Sequence, residues 1–317
     1  MDALILSFLS YTGLYQDQKE TLVACHSKSN TQLMVSSQPL APNSVAITSI
    51  DPNKFHLEDW SKKEIEESYL YLQGIVKKIE EQEKKPSYMV YAKDNLASSS
   101  PLHWDYIPYE KTTWKIIRFW QQFKILWRIT FGGFTLPNQE QRRISTDYAT
   151  FFQSYRDQEQ GDPIEKPKHT DAFCQVEVIN KQCVLQGEKI NVLYSYTPIG
   201  FGGERLHFLF TPKMHAERFT DLSKEEYSEA LYLAQKVIAI LKTTRPNIQN
   251  VYLFHKTGED AGQTVAHWHM HLVVTTNASQ DFYGKLTVLK NMIIGSSPLK
   301  GTFLKNEVDK YALELKE

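Results

Sequence analysis

Gly262-Gln263-Thr264-Val265-Ala266-His267-Trp268-His269-Met270-His271-Leu272 sets three of the chain's ten histidines two residues apart. In an extended strand, alternate side chains share a face. The spacing therefore predicts one face of imidazoles and an opposite apolar face of Trp268, Met270, Leu272 and Val274, suited to pack on a helix. Immediately upstream, Gly258-Glu259-Asp260-Ala261-Gly262-Gln263-Thr264 reads as a turn. Its glycines allow backbone N–H groups to approach a bound anion closely. Three chemistries suit such a face: imidazoles sharing a Zn²⁺, histidines satisfied within the structure, or a neutral imidazole attacking phosphorus while its neighbours move protons. No carboxylate-rich surround is visible in the sequence, so neither a metal nor a cofactor is expected.

Working outward, the helix that should cover the apolar face begins at Ser223, three residues before Glu226. This is a capping box, in which each side chain satisfies a backbone N–H left unpaired by the first turn. Tyr227, Ala230, Leu231, Ala234, Val237, Ile238 and Leu241 make its apolar stripe. The same arrangement stands 162 residues earlier, with Ser61 and Glu64 followed by Ile65, Ser68, Tyr69, Leu72, Ile75, Val76 and Ile79. A strand precedes each helix (Val45–Ile50 and His207–Pro212). A proline (Pro86, Pro246), a strand (Tyr88–Tyr91, Val251–Phe254) and a last strand (His103–Ile107, His267–His271) follow it. This order predicts an internally duplicated strand–helix–strand–strand unit. Aligned this way, the first copy has Val45 for His207, Asp105 for His269 and Ile107 for His271, keeping only His103 for His267.

Composition narrows the class. Thirty-six Lys+Arg against thirty-seven Asp+Glu leave no global basic field for nucleic acid. Three cysteines without a CxxC pair suggest reduced thiols, and no signal-peptide pattern or stretch of eighteen apolar residues is present. A cytoplasmic protein is expected. Between the copies, Trp114 to Phe131 mixes Trp, Phe and Ile with Lys115, Arg118, Lys124 and Arg128. We expect a helix packing between modules with its cations in solvent, against the alternative of a basic amphipathic surface for a membrane or single-stranded nucleic acid.

The segment 262–272 resembles the signature of the histidine triad (HIT) superfamily, a Gly-Gln-Ser/Thr-Val turn leading into His-x-His-x-His. His207-Phe208-Leu209-Phe210-Thr211-Pro212-Lys213-Met214-His215 resembles that family's first strand, whose leading histidine completes the site. The resemblance covers roughly residues 192–276. It implies His269 as the nucleophile, His267 orienting it through its backbone carbonyl, His207 buttressing, and His271 contacting phosphate and assisting the leaving group. Gly262, Gln263 and Thr264 would form the phosphate turn. Lys256 stands where the family tends to have Asn and would contact an extra phosphate or a sugar phosphate, against the alternative of a solvated loop lysine. Small relatives carry an acidic ribose contact at the position of Ile199; Glu204, beyond the glycine-rich stretch, is the candidate substitute.

The expected fold is α+β, with two HIT-like modules forming an intramolecular pseudo-dimer. A degenerate module spans 1–110, an aromatic and basic helical connector with a polar loop spans 111–170, and a catalytic module spans 171–317. The resemblance implies a nucleotide hydrolase acting at the α-phosphorus on a dinucleoside polyphosphate, a phosphoramidate or a nucleotide-sugar. His271 favours hydrolysis, whereas duplication favours a nucleotidyltransferase or phosphorylase of the galactose-1-phosphate uridylyltransferase type. A weakly catalytic nucleotide- or partner-binding protein is the third alternative. The chain is expected to need no second copy, since its other module replaces a homodimer partner.

Overall fold

The computed structural model describes residues 21–25, 29–155, 171–199, 204–276, 282–294 and 296–316. In order these form β1 (Thr21–Cys25), β2 (Thr31–Val35), β3 (Val45–Ser49), α1 (Lys62–Glu80), β4 (Ser87–Asn95) and β5 (His103–Tyr109). There follow α2 (Lys115–Phe131), α3 (Asn138–Tyr155) and α4 (Val176–Gln182). The second half continues with β6 (Cys183–Gln186), β7 (Ile190–Tyr194), β8 (Leu206–Pro212), α5 (Lys224–Thr244), β9 (Ile248–Thr257) and β10 (Met270–Thr276). It ends with α6 (Phe282–Ile294) and α7 (Thr302–Glu314). The glycine-rich residues 200–203 and the polar loop 156–170 lie outside the described residues.

Both capping boxes form. Ser61 accepts from the Glu64 N–H and Ser223 from that of Glu226, while each glutamate returns to the serine N–H. Each cap contributes about 1 kcal/mol and fixes where its helix starts. The stripes below are buried as expected: all seven positions of α5, and all of α1 but Ile79, which is partly buried.

The α+β fold is built on one antiparallel ten-stranded sheet in the order β1-β2-β3-β5-β4-β9-β10-β8-β7-β6. Read from its centre, the order of the first five strands repeats in the second five, so the halves meet as a pseudo-dimer across β4 and β9. The seam ladder pairs Tyr88 with Thr257 through to Asn95 with Asn250, and Tyr91 sits opposite Phe254. Above it, Tyr69 of α1 donates to the Leu222 carbonyl at 2.6 Å, and Gln235 of α5 donates to the carbonyls of Leu57 and Trp60 at 2.8 and 2.9 Å.

The two faces of the sheet have separate cores. One, beneath α1 and α5, holds Val45, Ile47, Tyr88, Val90, Phe208, Phe210, Val251, Leu253, Trp268, Met270 and Leu272. The other holds Met89, Tyr91, Ile107, Tyr109, Ile125 of α2, Ile199, Phe254 and Val273. This partition corrects the alignment of the copies. Val45 faces α1, whereas His207 alternates with Phe208 and Phe210 and faces away from α5, so the two are not counterparts. The offset of 162 holds for the capping boxes. β3 with β8 and β4 with β9 require an odd offset, as in the direct pair Tyr91 and Phe254, whereas β5 with β10 keeps the even one, Trp104 and Tyr106 sharing the core with Trp268 and Met270. A one-residue slip exchanges the faces of a strand, and similarity between copies does not detect it.

Candidate active site

The histidines gather on the face away from α5, at the end of β10 nearest the Gly258–Thr264 turn. Alternation holds as expected, with Trp268, Met270, Leu272 and Val274 in the core under the helix. The ladder itself begins only at Met270, so His271 alone is within the strand. His267 and His269 precede it, on a stretch where the Trp268 N–H donates to the Ala216 carbonyl instead of joining the sheet.

Hydrogen-bond partners fix the tautomers. The Ile199 N–H donates to Nδ1 of His207 at 3.1 Å. His207 therefore carries its proton on Nε2, which lies 2.9 Å from Nδ1 of His271 and donates to it. Neutral His271 is left with its proton on Nε2. The His271 ring is stacked on Phe254, with centroids 4.4 Å apart and planes within 9°. His269 is held differently. Its Nδ1 donates to the His267 carbonyl at 2.8 Å, leaving an unprotonated Nε2 that no described residue engages. The His269 and His271 rings are 4.9 Å apart.

Burial makes these imidazoles neutral. Desolvation, followed by the nearby His269, lowers His207 to about 3. Desolvation lowers His269 to about 4 against an opposing hydrogen bond to the His267 carbonyl. Desolvation, followed by the crowding of His269 and His207 and the charge of Lys256, holds His271 well below the ordinary histidine range. A buried neutral imidazole with one tethered nitrogen and one open lone pair is a nucleophile at any pH near neutrality.

Lys256 supplies the positive charge. Burial lowers it to about 8, and its Nζ lies 3.5 Å from where a Cβ on Gly262 would stand. Gly262 has φ +85°, open to glycine and strained for other residues. Gln263 is committed to the turn: its Oε1 accepts from the Gly258 N–H and its Nε2 donates to the Glu217 carbonyl. Thr264 is exposed at the rim. The turn is braced from outside the second half. Arg118 of α2 binds Glu259 and Asp260, and Gln122 donates to the Asp260 carbonyl at 2.9 Å. Gly258 has φ +86°, and its absent Cβ would lie 2.3 Å from Ser87 Oγ of β4. The first half thus shapes the turn. On this face the first half carries Met89, Tyr91, Ile107 and Tyr109, with Asp105 alternating with the core residues Trp104 and Tyr106 and lying 3.4 Å from His103 Nε2. Glu204, the expected ribose contact, is instead occupied by Arg245 and Lys310.

A second group lies behind His267 and was missed in the sequence. His267 Nε2 donates to the Pro212 carbonyl at 3.1 Å, and its Nδ1 lies 3.1 Å from Asp171 Oδ2. His215 Nδ1 approaches the same oxygen at 2.8 Å, and Cys174 Sγ at 3.2 Å. Hydrogen bonds from Cys174, His267 and the Phe173 N–H overcome desolvation and hold Asp171 at about 2. Desolvation and that carboxylate push Cys174 up to about 11. One ligand atom from each of the four residues lies within 4.8 Å of all the others. Carboxylate, thiol and two imidazoles form a donor set suited to Zn²⁺. A cation there would anchor the His267 backbone whose carbonyl aims His269. The Asp171-x-x-Cys174 spacing and the Pro212–His215 segment were the available signals, but only the fold brings them together.

Comparison with known proteins agrees with this geometry. The HIT domain family model matches residues 177–278. The bifunctional bis(5'-adenosyl)-triphosphatase/adenylylsulfatase FHIT of Arabidopsis thaliana is 40% identical over 67 residues, 21% of this chain and 37% of that protein. The nitrilase and fragile histidine triad fusion protein NitFhit of Caenorhabditis elegans is 37% identical over 67 residues, 21% of this chain and 15% of that one. The chain thus spans well under half of the length of these relatives. Among solved structures, an ADP-glucose phosphorylase from Arabidopsis thaliana with bound ADP-glucose superposes over 94% of this chain and 86% of its own. Its TM-score is 0.52 at 10% identity, a likeness of fold. The stretch matched by the HIT domain model, residues 177–278, is the part of the second half that carries His207, Lys256, the Gly258–Thr264 turn and the three clustered histidines.

Proposed function

We propose that the protein hydrolyses a nucleotide at its α-phosphorus through a nucleotidyl-histidine at His269. The observation that carries this reading is the opposite tethering of neighbouring rings: His269 presents a bare Nε2, and His271 presents a protonated one. In the first step His269 Nε2 bonds to the α-phosphorus while the bond to the leaving group breaks. The leaving group departs as its anion, accepting a hydrogen bond from the His271 Nε2–H. In the second step water attacks the phosphorus and loses a proton to solvent as the P–N bond breaks, releasing a nucleoside monophosphate and returning neutral His269. Lys256 and the N–H groups of the Gly258–Thr264 turn would offset charge developing on phosphate oxygens in this largely desolvated cleft. Substrates of the required form are dinucleoside polyphosphates, nucleoside phosphoramidates and nucleotide-sugars. The similarity to the triphosphatase FHIT supports the first of these.

A second reading, transfer of the nucleotidyl group to phosphate or a sugar phosphate, draws on the two-module sheet and its likeness in fold to the ADP-glucose phosphorylase. Product analysis with and without those acceptors separates the two; turnover only with an acceptor would exclude hydrolysis. The nucleophile is tested by intact-mass measurement after mixing with a nucleotide panel and quenching at alkaline pH. A gain of one nucleoside monophosphate is expected in the wild type and not in His269→Ala. An equal gain in the variant would refute the assignment.

A further inference from the structure

The helix α2 departs from its sequence expectation in part: Lys115 and Lys124 stand in solvent as expected, but Arg118 and Arg128 turn inward and most of the rings face out. Its buried face carries Ile125 and Leu126, with Arg118 and Gln122 bound to the turn and Arg128 donating to the Leu40 carbonyl. Its outer face carries the rings. Trp114 is 68% exposed, Ile116 64% and Trp120 58%, with Ile117, Phe119 and Trp127 also exposed. Along this face Phe119, Phe123, Trp127 and Phe131 stack on one another in a ladder. A surface of this size and composition on one helix needs an occupant.

The charge around it identifies one. Between Glu110 and Glu140 the chain has five cations, Lys111, Lys115, Arg118, Lys124 and Arg128, and no carboxylate, although the whole protein is nearly neutral. Lys111, Lys115 and Lys124 are exposed and make no ion pair among the described residues. No described helix is long and apolar enough to cross a membrane. We propose that the outer face of α2 is a docking surface that lies flat in the interface of an anionic bilayer, with Trp120 and Trp127 at headgroup depth and the lysines on lipid phosphates. Tryptophan favours that depth because its ring is apolar and its N–H is polar. A second copy fits less well, since a two-fold interface would set these lysines against their own images. Single-stranded nucleic acid calls for rings free to stack with bases, with cations beside them. Here the rings stack on each other and two of the arginines face inward.

The test is co-sedimentation of the purified full chain with vesicles of phosphatidylcholine alone or with about 30% phosphatidylglycerol, read alongside the tryptophan emission maximum. The wild type should pellet with the anionic vesicles and shift its emission to the blue. Trp120→Ser with Trp127→Ser should stay in the supernatant while keeping the wild-type melting temperature. Lys115→Gln with Lys124→Gln should weaken binding about 30-fold, from ~1 kcal/mol for each lysine near an anionic surface. Failure of the wild type to pellet with either vesicle overturns the proposal. So does a wild-type dimer in solution that the serine variant abolishes, which would place a second copy on this face. Binding to an oligothymidine in preference to vesicles would overturn it in favour of nucleic acid.

Discussion

Stripping the protein with a chelator and titrating Zn²⁺ back is expected to raise its melting temperature by roughly 5–10 °C, and Cys174→Ala should abolish most of that gain. The expectation is worked from the ligand atoms. A tetrahedral site with Zn–N and Zn–O near ~2.0 Å and Zn–S near ~2.3 Å has N–O edges of about 3.3 Å and edges to sulfur of about 3.5 Å. The structure has 2.8 and 3.1 Å from Asp171 Oδ2 to the two imidazoles and 3.2 Å to Cys174 Sγ. From that sulfur to His267 and His215 it has 3.6 and 3.8 Å. Electrostatics point the same way. Nδ1 of His267, Nδ1 of His215 and the Cys174 thiol all converge on one ionised oxygen, Asp171 Oδ2, and a cation among them would take the place of the protons now shared with it. At free Zn²⁺ a hundredfold above its dissociation constant, binding adds about 2.7 kcal/mol to stability. At ~2–4 °C for each kcal/mol in a chain of this size, the quoted shift follows. Scanning fluorimetry with elemental analysis is the assay. Less than a tenth of an equivalent of retained metal, with an unmoved transition, would refute the reasoning.

Other consequences concern individual residues. His207→Leu leaves the buried Ile199 N–H and His271 Nδ1 without partners, at about 1–3 kcal/mol each, and frees the His271 tautomer. Denaturant unfolding should record the loss, and the pH–rate profile should change shape, which a purely structural role would not produce. Lys256→Met should raise KM for an anionic substrate with a smaller effect on kcat. In the wild type, KM should climb as pH rises through about 8, where the half-buried lysine discharges, and the variant should lack that rise. Gly258→Ala forces a Cβ against Ser87 at a positive φ, and calorimetry should register a loss of about 2–4 kcal/mol. Finally, His207 and His255 are buried neutral with values near 3, against about 6.5 unfolded. Their contribution is whole above pH 6.5 and is lost as pH falls from 6.5 toward 3. The slope is about 1.4 kcal/mol per pH unit for each, measurable as a falling melting temperature, whereas a flat profile between pH 6.5 and 5 would contradict it.

Local signals were legible and convergent ones were not. Ser61 with Glu64 and Ser223 with Glu226 announced both helices, because a capping box is confined to one turn. The alternation through Trp268, Met270 and Leu272 was equally plain, since burial on one face selects residue type at every second position. Strand register was not legible, and so the counterparts drawn for the first copy misplaced Val45 against His207. Asp171 with Cys174, and His215, come from two separate segments and meet His267 only through tertiary packing. The helix at Trp114–Phe131 displayed two kinds of face in its sequence, but periodicity does not say which one meets the body. Arg118 and Arg128 went inward because acceptors on Glu259, Asp260 and Leu40 awaited them there.

The β4–β9 ladder joins two halves of one polypeptide, so the local concentration of each half around the other is set by chain connectivity and not by the amount of protein present. Dilution cannot open that junction. The two flanks of the junction are also encoded separately. Ser87 can close on Gly258 from one side without the reciprocal contact being imposed on the other, as shared coding would require of identical subunits.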